Sequence, residues 1–255
     1  MKVAVITGAS SGIGKEFTKA ISEQYSFDEM WLIARREDRL KEVADGLSVQ
    51  CRVIPMDLTD RASLEKYKDI LENEKPTITV MVNAGGFGKF GHHTAVDIEQ
   101  SLNMIDLNCK ALLAMTELSL PYMDKGSEIY QLGSLSSFQP VPYLNTYAAT
   151  KAFVLSYTRG LNKELRSRGI KAMAVSPGWV KTEFFDRAAT KDSDAVTYFN
   201  VMYTPEQVVK TALKDMKRGK DVSVHGLPIK LQVLAVKLLP HSLIMKIWLR
   251  QQGHK

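Results

Sequence analysis

The chain has 255 residues, of which 45% are hydrophobic and 24% charged, the balance of a globular protein long enough to bury a substantial core. Its formal net charge is +6, but the basic residues form no arm or aromatic-interleaved cluster, which argues against a nucleic-acid partner. No run of about twenty apolar residues offers a membrane span, and the two cysteines, Cys51 and Cys109, lack metal-ligand spacing and read as free thiols of a reducing compartment.

The first apolar run, Val3 to Ile6, is too short for an export signal and runs directly into glycines, so a cytoplasmic location is expected. It reads as a buried strand. Thr7-Gly8-Ala9-Ser10-Ser11-Gly12-Ile13-Gly14 follows, and then a helix from Ile13 to Gln24. Glycines in a first strand-to-helix turn let the backbone turn tightly and approach a pyrophosphate, whose charge the helix N-terminus attracts. Gly8, Ser10, Ser11, Gly12, Ile13 and Gly14 are therefore candidate cofactor contacts.

The second strand, Trp31 to Ala34, ends in Arg35-Arg36, where a fold binding NAD usually carries an acidic residue. No carboxylate stands there to repel a 2′-phosphate, and a guanidinium can grip one in a bidentate way. NADP(H) is the expected cofactor, with Arg35 the lead contact and Arg36 second. A helix spans Asp38 to Gly46, and the third strand, Cys51 to Met56, leads into Asp57 and Leu58, placed to reach the adenine edge. Asp60 precedes the helix Ala62 to Glu74, as an N-cap should. The fourth strand, Ile78 to Val82, meets Asn83-Ala84-Gly85.

His92-His93 is adjacent rather than spaced four apart on a helix, which reads as loop and gives no metal site. A long helix is expected over Asp97 to Met123, then a strand from Glu128 to Leu132 that enters Gly133-Ser134-Leu135-Ser136-Ser137. The helix Tyr147 to Arg168 carries Tyr147 and Lys151 four residues apart, on one face. A neighbouring ammonium favours the phenolate, which lowers a tyrosine pKa from its reference near ~10 toward the range useful for proton transfer. The sixth strand, Ala172 to Ser176, opens into Pro177-Gly178-Trp179-Val180-Lys181-Thr182, and Gly169 closes the preceding helix. Trp179, Phe184 and Phe185 suit either a substrate wall or the core.

Residues 183–203 are the least regular stretch and form the candidate substrate lid, or else a solvated connection. Thr204-Pro205 opens a helix to Arg218. The apolar tail, 227–255, is interrupted at Pro240 and forms two amphipathic pieces with Lys230, Lys237, Lys246 and Arg250 at their margins. Packing over the pocket or against another subunit is the direct reading; a basic amphipathic helix can also lie on an anionic membrane. No internal repeat or linker divides the chain, so 1–255 is read as one domain. The alternation of strands and helices predicts an α/β fold, a parallel sheet with helices on both faces.

These motifs together resemble the classical short-chain dehydrogenase/reductase family. The resemblance covers roughly Lys2 to Val224 and rests on Thr7-Gly8-x-x-x-Gly12-x-Gly14, Asn83-Ala84-Gly85, Asn108, Ser134, Tyr147-x-x-x-Lys151 and Pro177-Gly178, in family order. It implies a Rossmann-type, doubly wound sheet of about seven strands in a three-layer αβα sandwich. It further implies that Tyr147 is the general acid in carbonyl reduction and the base in alcohol oxidation. Lys151 would depress the tyrosine pKa and hold the nicotinamide ribose, while Ser134, thirteen residues before Tyr147, would polarise the substrate oxygen. Asn108 would bind a water linking Lys151 to solvent, Asn83 would bond backbone near the adenosine, Val180 and Thr182 would contact the nicotinamide carboxamide, and Ala84, Gly85, Pro177 and Gly178 would belong to the same cofactor-binding stretches. Ser136 and Ser137 are expected to bond backbone. Two departures, Gly133 for the first Ser of a usual pair and Val82 for a frequent Asn, leave the reactive groups in place. The tail resembles those of a bacterial branch similar to steroid and long-chain ketoacyl reductases, which implies a bulky apolar carbonyl substrate. Homodimers or homotetramers through the long fourth and fifth helices are implied as well. The competing class is an NADP(H)-binding sensor or scaffold that keeps the fold without chemistry.

Overall fold

The computed structural model describes residues 1–92, 94–190 and 195–254. In chain order the elements are β1 (Lys2–Thr7), α1 (Gly12–Gln24), β2 (Glu29–Ala34), α2 (Glu37–Asp45), β3 (Cys51–Pro55), α3 (Arg61–Glu74), β4 (Thr77–Asn83) and α4 (Ile98–Ile105). A π-helical turn (Asp106–Ala111) joins α4 to α5 (Leu112–Ser119), followed by β5 (Glu128–Leu132), α6 (Asn145–Glu164), β6 (Lys171–Val175) and the short β7 (Trp179–Val180). The remainder is α7 (Phe184–Ala188), β8 (Met202–Tyr203), α8 (Pro205–Lys217), β9 (Val222–Ser223), α9 (Leu227–Leu238) and α10 (His241–Gln251).

Seven strands form one parallel sheet in the order β3-β2-β1-β4-β5-β6-β9, with helices on both faces. This is the doubly wound α/β architecture expected. The six strands read from apolar runs are present. The seventh, β9, is two residues long, pairing Val222 with Ala174 and Ser223 with Val175, too short to leave a sequence pattern. Alternation along β1 shows why the runs are uniformly apolar. Val3 and Val5 join a core with Trp31, Tyr67, Met115 and Leu161 on one face, while Ala4 and Ile6 join Phe17, Ile21, Leu40 and Val209 on the other.

Helix boundaries follow local chemistry. The Asp60 carboxylate accepts from Ala62 N at 3.2 Å. Pro205 occupies the first turn of α8, and Gln207 Oε1 accepts from Thr204 N at 3.0 Å. Gly169 takes the left-handed conformation (φ 68°) that ends the turn after α6. One expectation needs correction: the helix read over Asp97 to Met123 is not uniform, because a π turn separates α4 from α5 and a 3₁₀ turn, Leu120–Tyr122, ends it. The stretch 183–203 is also more ordered than expected, since it contains α7 and β8, and β8 pairs with β7. Its Lys191 to Asp194, like His93 of the histidine pair, lie outside the described residues.

Candidate active site

The carboxyl ends of β1 through β6 open on a single cavity of about 630 Å³ that also reaches α7, α9 and α10. That is the crevice where open α/β sheets bind ligands, and it includes the switch point between β1 and β4 where strand order reverses. Of the cofactor candidates, Gly8, Ser10, Ser11, Gly12, Ile13, Gly14, Arg35, Arg36, Asp57, Leu58, Ala84, Gly85, Pro177, Gly178, Val180 and Thr182 all line it.

The glycine turn is sterically committed. Gly8 has φ 67°, and a Cβ there would stand 2.7 Å from Gly85 N; one on Gly14 would stand 2.2 Å from the Gly8 carbonyl oxygen. The first glycine thus lets β1 pass beside β4, and the last lets α1 start against the turn. Gly14→Ala is expected to cost about 1–3 kcal/mol of stability and to weaken dinucleotide binding, measured by urea unfolding and cofactor titration. A variant matching the wild type in both would remove the steric role from Gly14. Thr182 covers the same turn, its Cγ2 3.2 Å from where a Gly12 Cβ would lie.

At the far end of the turn, three arginines gather. Arg35 Nη1 lies 3.7 Å from Asp57 Oδ2, and Arg36 Nη1 pairs with Glu183 Oε2 at 2.9 Å. Both pairs are half exposed, so each is worth little and can yield to a phosphate. Burial raises the Asp57 pKa, but hydrogen bonds from Thr59 N and Oγ1 and the Arg35 charge outweigh it and hold the carboxyl below its usual range. The third cation, Arg187 of α7, was not legible in the sequence. Its guanidinium stacks 3.9 Å from the Phe87 ring centroid, and burial, with Arg35 and Arg36 nearby, pushes its pKa down to about 10.

Ser134, Tyr147, Lys151 and Asn108 converge from three elements: the turn after β5, α6, which carries both Tyr147 and Lys151, and the π turn. Ser134 caps a 3₁₀ turn, Leu135–Phe138, and its Oγ accepts from Ser136 N at 3.2 Å and from Ser136 Oγ at 2.9 Å. It also stands near enough to the Tyr147 phenol to draw that group's pKa down. Ser137 Oγ accepts from the Ser134 backbone at 3.1 Å, as expected, whereas Ser136 bonds the Ser134 hydroxyl itself. Lys151 is buried behind Tyr147, its Nζ 5.7 Å from the ring centroid and donating to Leu132 O at 2.6 Å. Asn108 sits in the π turn, fully buried, with Oδ1 accepting from Phe87 N at 3.1 Å and Nδ2 donating to Phe87 O and Thr150 Oγ1. Its side chain therefore fixes the backbone after β4 rather than facing the cavity. Asn83 is likewise displaced from its expected role. Its amide joins Thr7 on β1 to Thr116 on α5, buried below the cavity floor, instead of bonding backbone at the adenosine side.

The glycines after β4 make this convergence possible. A Cβ on Gly86 would meet Asn108 Oδ1 at 2.9 Å and Lys151 Nζ at 3.5 Å, and one on Gly88 would meet the Tyr147 ring at 2.9 Å. The run Gly85-Gly86-Phe87-Gly88 was the available signal.

The tyrosine pKa departs from expectation in direction. Burial pushes the Tyr147 phenol up to about 12, and Ser134 offsets only part of this; the Lys151 ammonium is itself pushed down to about 8 by burial. Desolvation disfavours both charged forms, so proximity alone does not ionise the phenol. Between about pH 8 and pH 10 the unfolded chain holds more protons at this lysine than the folded one, so folding gains with rising pH, by up to about 1.4 kcal/mol per unit. Above that window Tyr147 acts in the opposite sense, because an unfolded tyrosine ionises first. Urea unfolding of the wild type and Lys151→Met is expected to show the wild type gaining on the variant through this window. Parallel pH curves would remove the buried-ammonium penalty.

The substrate end is apolar with a few carboxamides. Trp179, Phe184 and Phe185 line the cavity and also cluster edge-to-face with Phe90 and Phe199, so wall and core are one structure. Gln139 lines the same region with its Oε1 buried and without a hydrogen-bond partner among the described residues. From the tail come Gln232, Trp248 and Gln251. Gln252 ties the tail to the segment before β8: its Oε1 accepts from Thr197 N and Tyr198 N at 2.9 Å, and its Nε2 donates to Tyr198 O.

Comparison with known proteins agrees with this geometry. The sequence profile of the family described as short chain dehydrogenase matches residues 2–193. An uncharacterised oxidoreductase of Staphylococcus epidermidis is 36% identical over 208 residues, covering 77% of this chain and 90% of the relative. Among solved structures, a short-chain dehydrogenase from Sphingobium yanoikuyae in complex with NADPH superposes with a TM-score of 0.80 at 28% identity, over 96% of this chain and 95% of that one. An alcohol dehydrogenase from the archaeon Thermococcus sibiricus, complexed with 5-hydroxy-NADP, gives 0.71 at 26% identity, over 89% and 95% of the two chains.

Proposed function

The chain belongs to the short-chain dehydrogenase family, an oxidoreductase family with a nicotinamide-dinucleotide fold, and from that premise we propose an NADP(H)-dependent reductase of apolar ketones, steroid-like or 3-oxoacyl in size. The observation that carries the proposal is that Ser134 and Tyr147 line one cavity with the glycine turn, the serine acting on the phenol. The glycine cradle, the start of α1 and the cluster of arginines fit a phosphorylated dinucleotide. When bound in reduced form, that cofactor supplies the hydride.

The chain's own residues supply the rest. Tyr147, its phenol kept protonated by burial, donates its proton to the carbonyl oxygen as the carbon accepts hydride, leaving a secondary alcohol. Ser134 Oγ sits beside that oxygen's position and stabilises the charge that develops there. Lys151 places a positive charge behind the phenol and restrains the phenolate once formed. Asn108 holds Phe87 and Thr150, and through them the floor under Lys151. Trp179, Phe184 and Trp248 exclude water and favour an apolar substrate, while the free Gln139 oxygen selects one with a hydrogen-bond donor.

On this reading residues 1–255 act as one unit, with 183–203 as lid and 227–255 as tail, in the cytoplasm. The exposed apolar Ile98, Leu102, Ile105 and Phe153 on α4 and α6 support a homodimer or homotetramer. A panel of ketosteroids, 3-oxoacyl thioesters and small aldehydes, followed by NADPH absorbance, tests the proposal. Turnover of a bulky ketone is the expected result. NADPH binding without oxidation by any of them would favour the non-catalytic sensor instead.

A further inference from the structure

The outer surface of the tail has no role in the reaction proposed above. On α9, Leu227, Leu231, Leu234 and Leu238 are 53–74% exposed, while Ile229, Val233 and Val236 are buried on the opposite side. Spacings of four, three and four keep the leucines in one line along the helix. Leu239 and, on α10, Leu243 and Ile247 are exposed as well, at 40–44%. Residues 227–255 contain five Lys and Arg and no Asp or Glu, in a chain whose whole net charge is +6. The excess charge of the protein is therefore concentrated beside its most exposed apolar stripe, although basic residues themselves occur throughout.

We infer that α9 and α10 dock in the interfacial layer of a lipid bilayer carrying anionic headgroups, with the leucine stripe in the acyl boundary and Lys230, Lys237, Lys246 and Arg250 at the headgroups. The apolar stripe matches the acyl side and the cations match the phosphates. A second copy of this chain fits less well, since a symmetric contact would set the same carboxylate-free, cationic surface against itself. Among the described residues no helix is long and apolar enough to cross a membrane, so the contact is peripheral. The inner sides of the same helices carry Gln232, Trp248 and Gln251 into the cavity. A membrane-dissolved carbonyl compound would then lie about one helix diameter, roughly 10 Å, from the site.

The test is flotation of the full chain with vesicles of phosphatidylcholine alone and of phosphatidylcholine with an equal share of phosphatidylglycerol. Flotation with the anionic vesicles only, weakened by salt, is expected. Leu231→Glu/Leu234→Glu should lower the bound fraction at least about tenfold without changing the thermal midpoint or the mass in solution. If that variant does not fold, Lys230→Glu/Lys237→Glu serves in its place, with the same loss expected. A wild type that floats with neither vesicle, or equally with both, overturns the inference. So does a variant that still floats, or one whose mass halves in vesicle-free solution, which would identify the stripe as a subunit contact.

Discussion

Tyr147→Phe is expected to lower ketone reduction at least about 10³-fold while leaving the NADPH dissociation constant within about twofold. The substitution removes one oxygen. The ring keeps its contact with Phe184, and the buried Lys151 keeps its bond to Leu132 O, so the cavity walls stay in place. What disappears is the phenolic proton beside Ser134, and with it a stabilisation made in the transition state rather than in cofactor binding. Single-turnover kinetics with NADPH and a fluorescence titration of cofactor separate the two effects. Full activity in this variant would end the assignment of Tyr147 as the acid, whatever substrate was used.

The second large effect concerns the cofactor. Replacing Arg35 with Ala should weaken NADPH binding about tenfold, and the Arg35→Ala/Arg36→Ala double variant about a hundredfold, with NADH affinity nearly unchanged. The estimate follows from one or two charge-assisted bonds to a phosphate at about 1.5–3 kcal/mol each, reduced by exposure and by the ion pairs each arginine leaves behind. Those pairs, to Asp57 and Glu183, are weak and solvent-facing. Arg187 sets a limit on the double variant, because a third cation from α7 remains at the same corner. Unchanged NADPH preference after both substitutions would refute the phosphate role of the pair.

The sheet was legible because strands buried on both faces are written as continuous apolar runs, and the helix starts because Asp60 and Thr204-Pro205 satisfy or remove early N–H groups. Tyr147 and Lys151 were legible because helical spacing alone puts them together. Their titration was not, since it depends on how much water reaches the phenol, a property of the folded cavity. Asn83 misled because its position after β4 suggested the ligand side, whereas its amide turns inward to Thr116. Arg187 left no signal at all: it matters only because α7 folds back over the crevice opened by distant strands. The tail was recognisably apolar, but which residues faced out required the packing of Ile229 and Val233 beneath it.

The π turn at Asp106–Ala111 behaves as a one-residue insertion in an otherwise continuous helix. An added residue rotates everything downstream by roughly 100°, a change that would ordinarily scramble a packed face. Here the offset lets two unrelated demands share one rod: α4 keeps Ile98, Leu102 and Ile105 outward, and α5 presents Thr116 to Asn83 and Gln131. Side-chain identity and phase are thus separable in this helix. Asn108→Ala removes a bond donor but preserves the offset, whereas deleting Cys109 would restore the regular pitch and swing Thr116 out of reach. Relatives aligned by hydrophobic period alone would slip by one position across this turn, which makes the length of the segment as much a part of the site as any residue within it.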